Sequence, residues 1–294
     1  MKKIAILTCD EMPEMLPYDH IIIKKLNDAG IYTKVFLWDE LIDDIKKLEE
    51  YDLVLLRTIW DYYKKVDKFM VFLEKLERLD VKVLNPIDIV RWNMDKKYLL
   101  QLQEEGFDII PSIFSFDNED IFDQALELGW KKMILKPMIS AGSYHTYVIE
   151  NSEREKFMDY KSQLFVNRPY MLQEFIPEIS EGEISTITLT SPGESAEDGY
   201  SYSVTKVPKK GDYRVQFNFG GVYHLGKVDP IINKISHRIT SRFNNRLLYQ
   251  RLDGIWRNNQ FLIMELELIE PDLYFNYSDA ALDRFFNNLI KICK

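Results

Sequence analysis

Over residues 1–85, short apolar runs (KIAILT, YTKVFLW, DLVLLRT, VKVLN) alternate with amphipathic stretches (YDHIIIKKLNDAG, DELIDDIKKLEE, KVDKFMVFLEKLERL). This alternation is the strongest constraint on the fold. A strand joined to the next through a helix must cross over, so such strands run parallel and the helices cover the sheet. The expected unit is a small doubly wound αβ domain over 1–86, with Gly30 capping its first helix. Asn85-Pro86 ends it, because the residue before a proline avoids the helical region.

Beyond it, the helical NMDKKYLLQLQEEG, the strand KKMILKP and the loop ISAGSYHT predict a small middle αβ lobe over 87–175. From about residue 170 the pattern changes to longer strands joined by turns: YMLQEF, EISTITLT, YSYSVTKVP, DYRVQFNFGG, RLDGIW and FLIMELEL. A mainly antiparallel lobe over 176–294 follows, closed by SDAALDRFFNNLIKICK as a helix. SPGESAEDG at 191–199 reads as an exposed hairpin tip. The fold class is mixed, α+β with an α/β start.

With 294 residues, 46% of them hydrophobic, the chain can bury a large core or several small ones. Its net charge of −9 argues against nucleic acid, which needs a broad basic surface. Cys9 and Cys293 lie near opposite ends without metal-ligand spacing, so neither disulfides nor zinc are expected. The apolar run IAIL is too short for an export signal or a membrane span, and a cytoplasmic location is expected.

Chemistry concentrates in FLIMELELIEP at 261–271. Strict strand alternation puts Leu262, Met264, Leu266 and Leu268 on one face and Glu265 with Glu267 on the other. The flanking Phe261, Ile263 and Ile269 make that second face more than a solvated surface. Two like charges there repel unless a hard divalent cation reverses the sign. Magnesium is therefore expected on Glu265 and Glu267, with Asp253 as a third oxygen if RLDGIW and FLIMELEL pair through RNNQ. Magnesium on carboxylates implies phosphate, and Lys136, Lys206 and Arg214 are candidate phosphate ligands on strand-like segments. Each of them alone reads more readily as a snorkelling surface cation, but together they repeat a pattern of cations on apolar strands. The SAGS loop offers small residues whose N–H groups can approach phosphate, while Walker A and GxGxxG spacings are missing. MLQEFIPEISEGE breaks at Pro177, so Glu174, Phe175 and Ile176 can meet an adenine edge and Glu183 a ribose; a strand ending at a proline turn explains the same pattern. In RTIWDYY, Arg57 can pair a substrate carboxylate and Asp61 an ammonium, with Trp60 and Tyr62 as a wall; inter-lobe aromatic packing is the alternative. None of His20, His145, His224 and His237 is read as catalytic.

Taken in order, WNMDK, ILKPMISAGS, LQEFIPEISEGE, KVPKKGDYRVQFNFGG, RLDG and MELELIEP resemble the ATP-grasp superfamily. Within it, the chain looks most like the branch of O-ureido-serine cyclo-ligase, and more distantly like glutathione synthetase. The resemblance implies that Lys96 and Lys136 contact the ATP phosphates, and that Ser140, Gly142 and Ser143 cover them. It implies that Glu174 to Ile176 line the adenine and Glu183 holds the ribose. Lys206 and Arg214 would face the transferred phosphoryl group as catalytic residues, and Asp253, Glu265 and Glu267 would bind Mg2+. Most of the superfamily has Glu-x-Asn where this chain has Glu265-x-Glu267, as its cyclo-ligase branch does. The implied activity is an ATP- and Mg-dependent carboxylate–amine ligase or cyclo-ligase acting through an acyl phosphate on an amino-acid-like molecule. A homodimer is a further expectation of the resemblance. A ligase acting on a peptide or protein C-terminus, and a nucleotide sensor without turnover, are the alternatives.

Overall fold

In a computed structural model that describes residues 1–117 and 119–294, the first sheet holds β1 (Lys3–Thr8), β2 (Tyr32–Leu37), β3 (Leu53–Thr58) and β4 (Lys82–Leu84). They pair in parallel in the order β2-β1-β3-β4. The crossover helices α1 (Pro17–Asp28) and α2 (Val66–Glu77) form where the amphipathic pattern expects them. The third stretch, DELIDDIKKLEE, instead forms 3-10 turns over Glu40–Glu50 with a break at Asp44 (φ −137°, ψ 43°), and Leu41 and Leu48 reach the core on either side of it. Ile4, Ile6, Leu53 and Leu55 face α1 and the C-terminal helix, while Ala5, Leu7, Val54 and Leu56 face α2 and Trp38. Burial on both faces explains why these strands are continuously apolar.

The chain then forms α3 (Ile87–Met94) and α4 (Tyr98–Glu104), which pack through Ile89, Tyr98, Leu99 and Leu102 onto Leu252, Ile263 and Leu266 of the C-terminal sheet. The second sheet is antiparallel, in the order β5 (Ser112–Ser115), β8 (Tyr170–Glu174), β6 (Lys132–Pro137), β7 (Tyr147–Glu150). Helices α5 (Phe122–Glu127) and α6 (Arg154–Leu164) cover it through Phe122, Phe157 and Tyr170. YMLQE therefore ends this sheet.

The third sheet is five-stranded and antiparallel. It runs β11 (Val222–Gly226), β10 (Tyr200–Val207), β9 (Glu183–Leu189), β12 (Tyr249–Arg257), β13 (Gln260–Glu267), with α7 (Pro230–Arg242) and α8 (Asp279–Cys293) against it. SPGESAEDG does join β9 to β10, but Ser191 and Ala196 are buried and Glu194 is tied to Arg284, so it is anchored rather than an exposed tip. DYRVQF, expected as a strand, is irregular. Asp212 Oδ1 accepts the N–H groups of Tyr213 and Arg214, a local side-chain turn that competes with the ladder. Gly221 then passes so close to the Val215 carbonyl that a Cβ would lie 1.9 Å from its oxygen. No helix among the described residues is long and apolar enough to cross a membrane.

Candidate functional site

The site grows from the β12–β13 hairpin. Its loop is Asn258-Asn259, both at positive φ (51° and 63°), which suits the tight primed turns that asparagine tolerates. The register puts Arg251 opposite Glu267 and Asp253 opposite Glu265, then shifts so that Gly254 faces Ile263. Met264 is the extra residue of a β-bulge. Consequently Leu262 and Met264 do not share a face with Leu266 and Leu268. Phe261, Ile263, Leu266 and Leu268 fill the core beneath α4 and α7, while Leu262 and Met264 join Ile110, Ile176, Ile179, Val215 and Ile255 on the other side.

Above that second apolar cluster lies a cleft enclosing about 1070 Å³, its open mouth included. Lys96, Lys136, Ser140, Gly142, Ser143, Glu174, Phe175, Ile176, Glu183, Lys206, Arg214, Asp253, Glu265 and Glu267 all line it. Six separate segments of the sequence thus meet in one place. One end is apolar, walled by Ile110, Ile176, Ile179, Val215 and Ile255; the other is densely charged.

At the charged end every carboxylate has a cation. Lys96 Nζ lies 3.0 Å from Glu265 and donates to the Ser140 carbonyl at 2.7 Å. Lys206 pairs with Glu183 and lies 3.6 Å from Asp253. Arg251 donates to Asp253 through Nε at 3.1 Å and Nη2 at 2.9 Å, and also holds Glu267. Ser185 Oγ donates to Asp253 at 2.6 Å. Burial would push Asp253 up, but Arg251 and Lys206 outweigh it and hold this carboxyl below its ordinary range. Burial acts likewise on Glu265 and is overcome by Lys96 and Lys136. Lys136 is the exception: its ammonium donates only to Gln173 Oε1, at 3.0 Å, and burial pulls it down to about 8.

Two loops meet across the mouth, where Gln216 Nε2 donates to Ser143 Oγ at 2.9 Å. Arg214 rests on Asp212 at 2.8 Å, with its guanidinium 3.8 Å above the Phe219 ring. At the hinge, Glu174 N donates to Pro111 O and Phe175 N to Lys132 O, and the Glu174 carboxylate is held in a two-bond pair by Arg257. Those two N–H groups are engaged in the fold.

Arg57, Trp60 and Asp61 do not reach the cleft, so their reading as substrate contacts needs correction. Arg57 is 2% exposed and pairs with Asp19 at 3.1 Å. Asp61, fully buried, accepts from Trp38 Nε1 at 2.6 Å and pairs with Lys65 at 2.6 Å. Trp60 Nε1 donates to the Glu270 carbonyl at 2.8 Å, which is inter-lobe packing. A buried charge must be paired, and here the partners are the protein's own. Conversely, Arg251, Tyr223 and Tyr274 line the cleft and were not singled out from the sequence. Arg251 was findable: it stands two residues before Asp253, hence on the same strand face.

Among the described residues, no three His, Cys, Asp or Glu side chains converge into a metal cage by themselves. Asp253, Glu265 and Glu267 form an all-oxygen, hard donor set, suited to magnesium with water or phosphate oxygens completing the shell.

The profile for the prokaryotic glutathione synthetase ATP-grasp domain matches residues 104–256. The chain belongs to the ATP-grasp family. The profile for the N-terminal domain of D-cycloserine synthetase DcsG matches residues 4–85. The cycloserine biosynthesis protein DcsG of Streptomyces lavendulae is 26% identical to this ATP-grasp chain over 311 aligned positions, covering 99% of each. The crystal structure of D-cycloserine synthetase DcsG superposes with a TM-score of 0.82 at 20% identity, covering 99% of this chain and 100% of that one. D-alanine–D-alanine ligase from Bacillus anthracis gives 0.73 at 15% identity, covering 100% and 97%. A RiPP-associated ATP-grasp ligase from Chryseobacterium gregarium, in complex with ADP and a leader and core peptide, gives 0.68 at 14%, covering 100% and 96%. The chain is thus an ATP-grasp enzyme of the ligase type, with the family's parallel first sheet and antiparallel later sheets.

Proposed function

We propose that this enzyme joins a carboxylate to an amine, within one molecule or between two, on an amino-acid-like small molecule, using ATP and Mg2+ through an acyl phosphate. The observation that carries this reading is the cleft itself: an apolar end leads to a charged end with cations and paired carboxylates. Phosphoryl transfer needs positioning and charge neutralisation more than a protein nucleophile. Full-length similarity to DcsG supports a small-molecule substrate and the cyclo-ligase possibility.

In this reading, the substrate carboxylate oxygen attacks the γ-phosphorus and ADP leaves. The amine nitrogen then attacks the acyl carbon, and phosphate leaves. Lys96, Lys136 and Lys206 bind phosphate oxygens, with Ser140, Gly142 and Ser143 closing over them; Glu174, Phe175 and Ile176 line the base. Glu183 takes the ribose hydroxyls by giving up part of its contact with Lys206. Arg214 swings from Asp212 to the transferred group, while Arg251 stands beside the acyl carbon. Asp253, Glu265 and Glu267 would hold the magnesium, which when bound neutralises the triphosphate. We also propose three domains, 1–86, 87–175 and 176–294; the separate sheets support this division, although α3 and α4 pack on the third.

The test is ADP release with MgATP across a panel of amino acids, followed by mass spectrometry of the product. Arg214→Ala and Glu265→Ala should each lower turnover by at least 100-fold while leaving the circular dichroism unchanged. Wild-type turnover in both variants would refute the assignment. A requirement for a peptide instead of any free amino acid would favour the ligase acting on a peptide C-terminus.

A further inference from the structure

Tyr274 occupies the left-handed region (φ 51°, ψ 37°), which a bulky side chain enters only under constraint. Such strain tends to persist where function requires a side chain to be aimed. Here the residue is 6% exposed, and its ring lines the charged end of the cleft. The Tyr223 ring meets it edge-on at 5.5 Å and 84°, and the Arg251 guanidinium lies 5.4 Å from its centroid.

The constraint is built by Asp272. Its Oδ1 accepts the Tyr274 N–H at 2.7 Å and also the hydroxyl of Tyr18, which belongs to α1 of the first sheet's layer. Its carbonyl accepts from Arg251 Nη1 at 3.2 Å. The next carbonyl, of Leu273, accepts the Tyr202 hydroxyl. One residue thus fixes the strained backbone, the guanidinium and the link to the N-terminal layer.

Resting on the function proposed above, we infer that Tyr274 is a specificity-determining residue that walls the acyl-substrate pocket and confines it to carboxylates with small side chains, and that Tyr18 acts through Asp272 as a positioning residue for it. Arg251 and Lys206 line the same cleft as the crossed rings of Tyr274 and Tyr223, so a carboxylate paired with those cations would carry its side chain against the two rings. The first domain thereby shapes substrate choice without touching substrate.

The test traps acyl phosphate with hydroxylamine and measures hydroxamate from alanine, serine, valine, leucine and phenylalanine in both enantiomers. Wild type should favour alanine or serine over leucine and phenylalanine by at least 10-fold. Tyr274→Gly, which relieves the backbone and removes the ring, should reduce that ratio at least 10-fold, and Tyr274→Phe should preserve it. Tyr274→Asn, which also accepts this backbone, replaces the glycine variant if the latter fails to bind MgATP by calorimetry. Tyr18→Phe should raise the KM for the favoured amino acid at least 5-fold while the KM for ATP stays within 2-fold. An unchanged ratio in the ring-deleted variant, or equal rises in both KM values for Tyr18→Phe, would overturn the inference. Wild-type MgATP binding without hydroxamate from any amino acid would also overturn it, leaving the ATP site standing; failure to bind MgATP would instead sink the proposed function.

Discussion

Lys136 is the residue whose state decides how the cleft meets an anion. Burial pulls its ammonium down to about 8, Glu265 pushes back, and Lys96 adds to the depression. If Lys136 binds the triphosphate as proposed, it does so protonated, and the charge that attracts the anion is present below pH 8 and lost as pH rises through that value. ATP affinity should therefore weaken by up to about tenfold per pH unit above 8, as one titrating cation is lost. Lys136→Arg, always charged, should flatten the profile between pH 7 and 10; an equally steep fall in that variant would assign the effect elsewhere. Arg251 gives a second prediction. Arg251→Ala leaves Glu267 without its cation and Asp253 dependent on Lys206 at 3.6 Å. Removing one partner of a buried pair costs about 3–5 kcal/mol, so the melting temperature should drop, and added MgCl2 should restore more of it in the variant than in wild type. Equal magnesium effects on both proteins would argue that the metal does not meet these carboxylates.

At the scale of elements, the bulge in β13 decides where the glutamates point. Gly254 allows it: a Cβ there would lie 2.4 Å from Phe261 Cζ and 2.5 Å from the Leu262 carbonyl. Gly254→Ala should destabilise the protein by about 2–3 kcal/mol in urea unfolding and impair ATP binding, because the hairpin must open to accept it. A neutral result would mean the hairpin relaxes freely. The same bulge marks a limit of what sequence alone discloses. The hairpin and its turn at Asn258-Asn259 follow from pattern and turn chemistry, whereas regular pairing from that turn would set Asp253 opposite Met264 and not Glu265. The apolar face does not follow either, because period-two reasoning has no term for an extra residue and so misplaces Leu262 and Met264. DYRVQF fails for a related reason, since Asp212 diverts its backbone. The parallel first sheet was legible because its central strands β1 and β3 are apolar on both faces and alternate with amphipathic stretches. Arg57 and Asp61 misled because a buried ion pair and a ligand site use the same residue types, and only their distance from the cleft separates them.

For the molecule as a whole, charge is the governing quantity. The chain carries −9 overall, yet the cleft gathers lysines and arginines from the second and third sheets and the segments beside them, all but Lys136 matched to a carboxylate. Such a site is close to neutral by itself, so it welcomes a nucleotide neutralised by magnesium far better than a bare one. Nucleotide binding to the folded protein alone should also raise stability, by about 2.7 kcal/mol at 100 times the Kd. Calorimetric titration of ATP with and without Mg2+, on wild type and on a Glu265→Gln/Glu267→Gln variant, tests this most directly. The account predicts binding by wild type that weakens at least 100-fold when EDTA removes the metal, and a variant whose affinity no longer responds to magnesium. Equal ATP affinity with and without the metal in wild type, or an undiminished magnesium response in the variant, would contradict it.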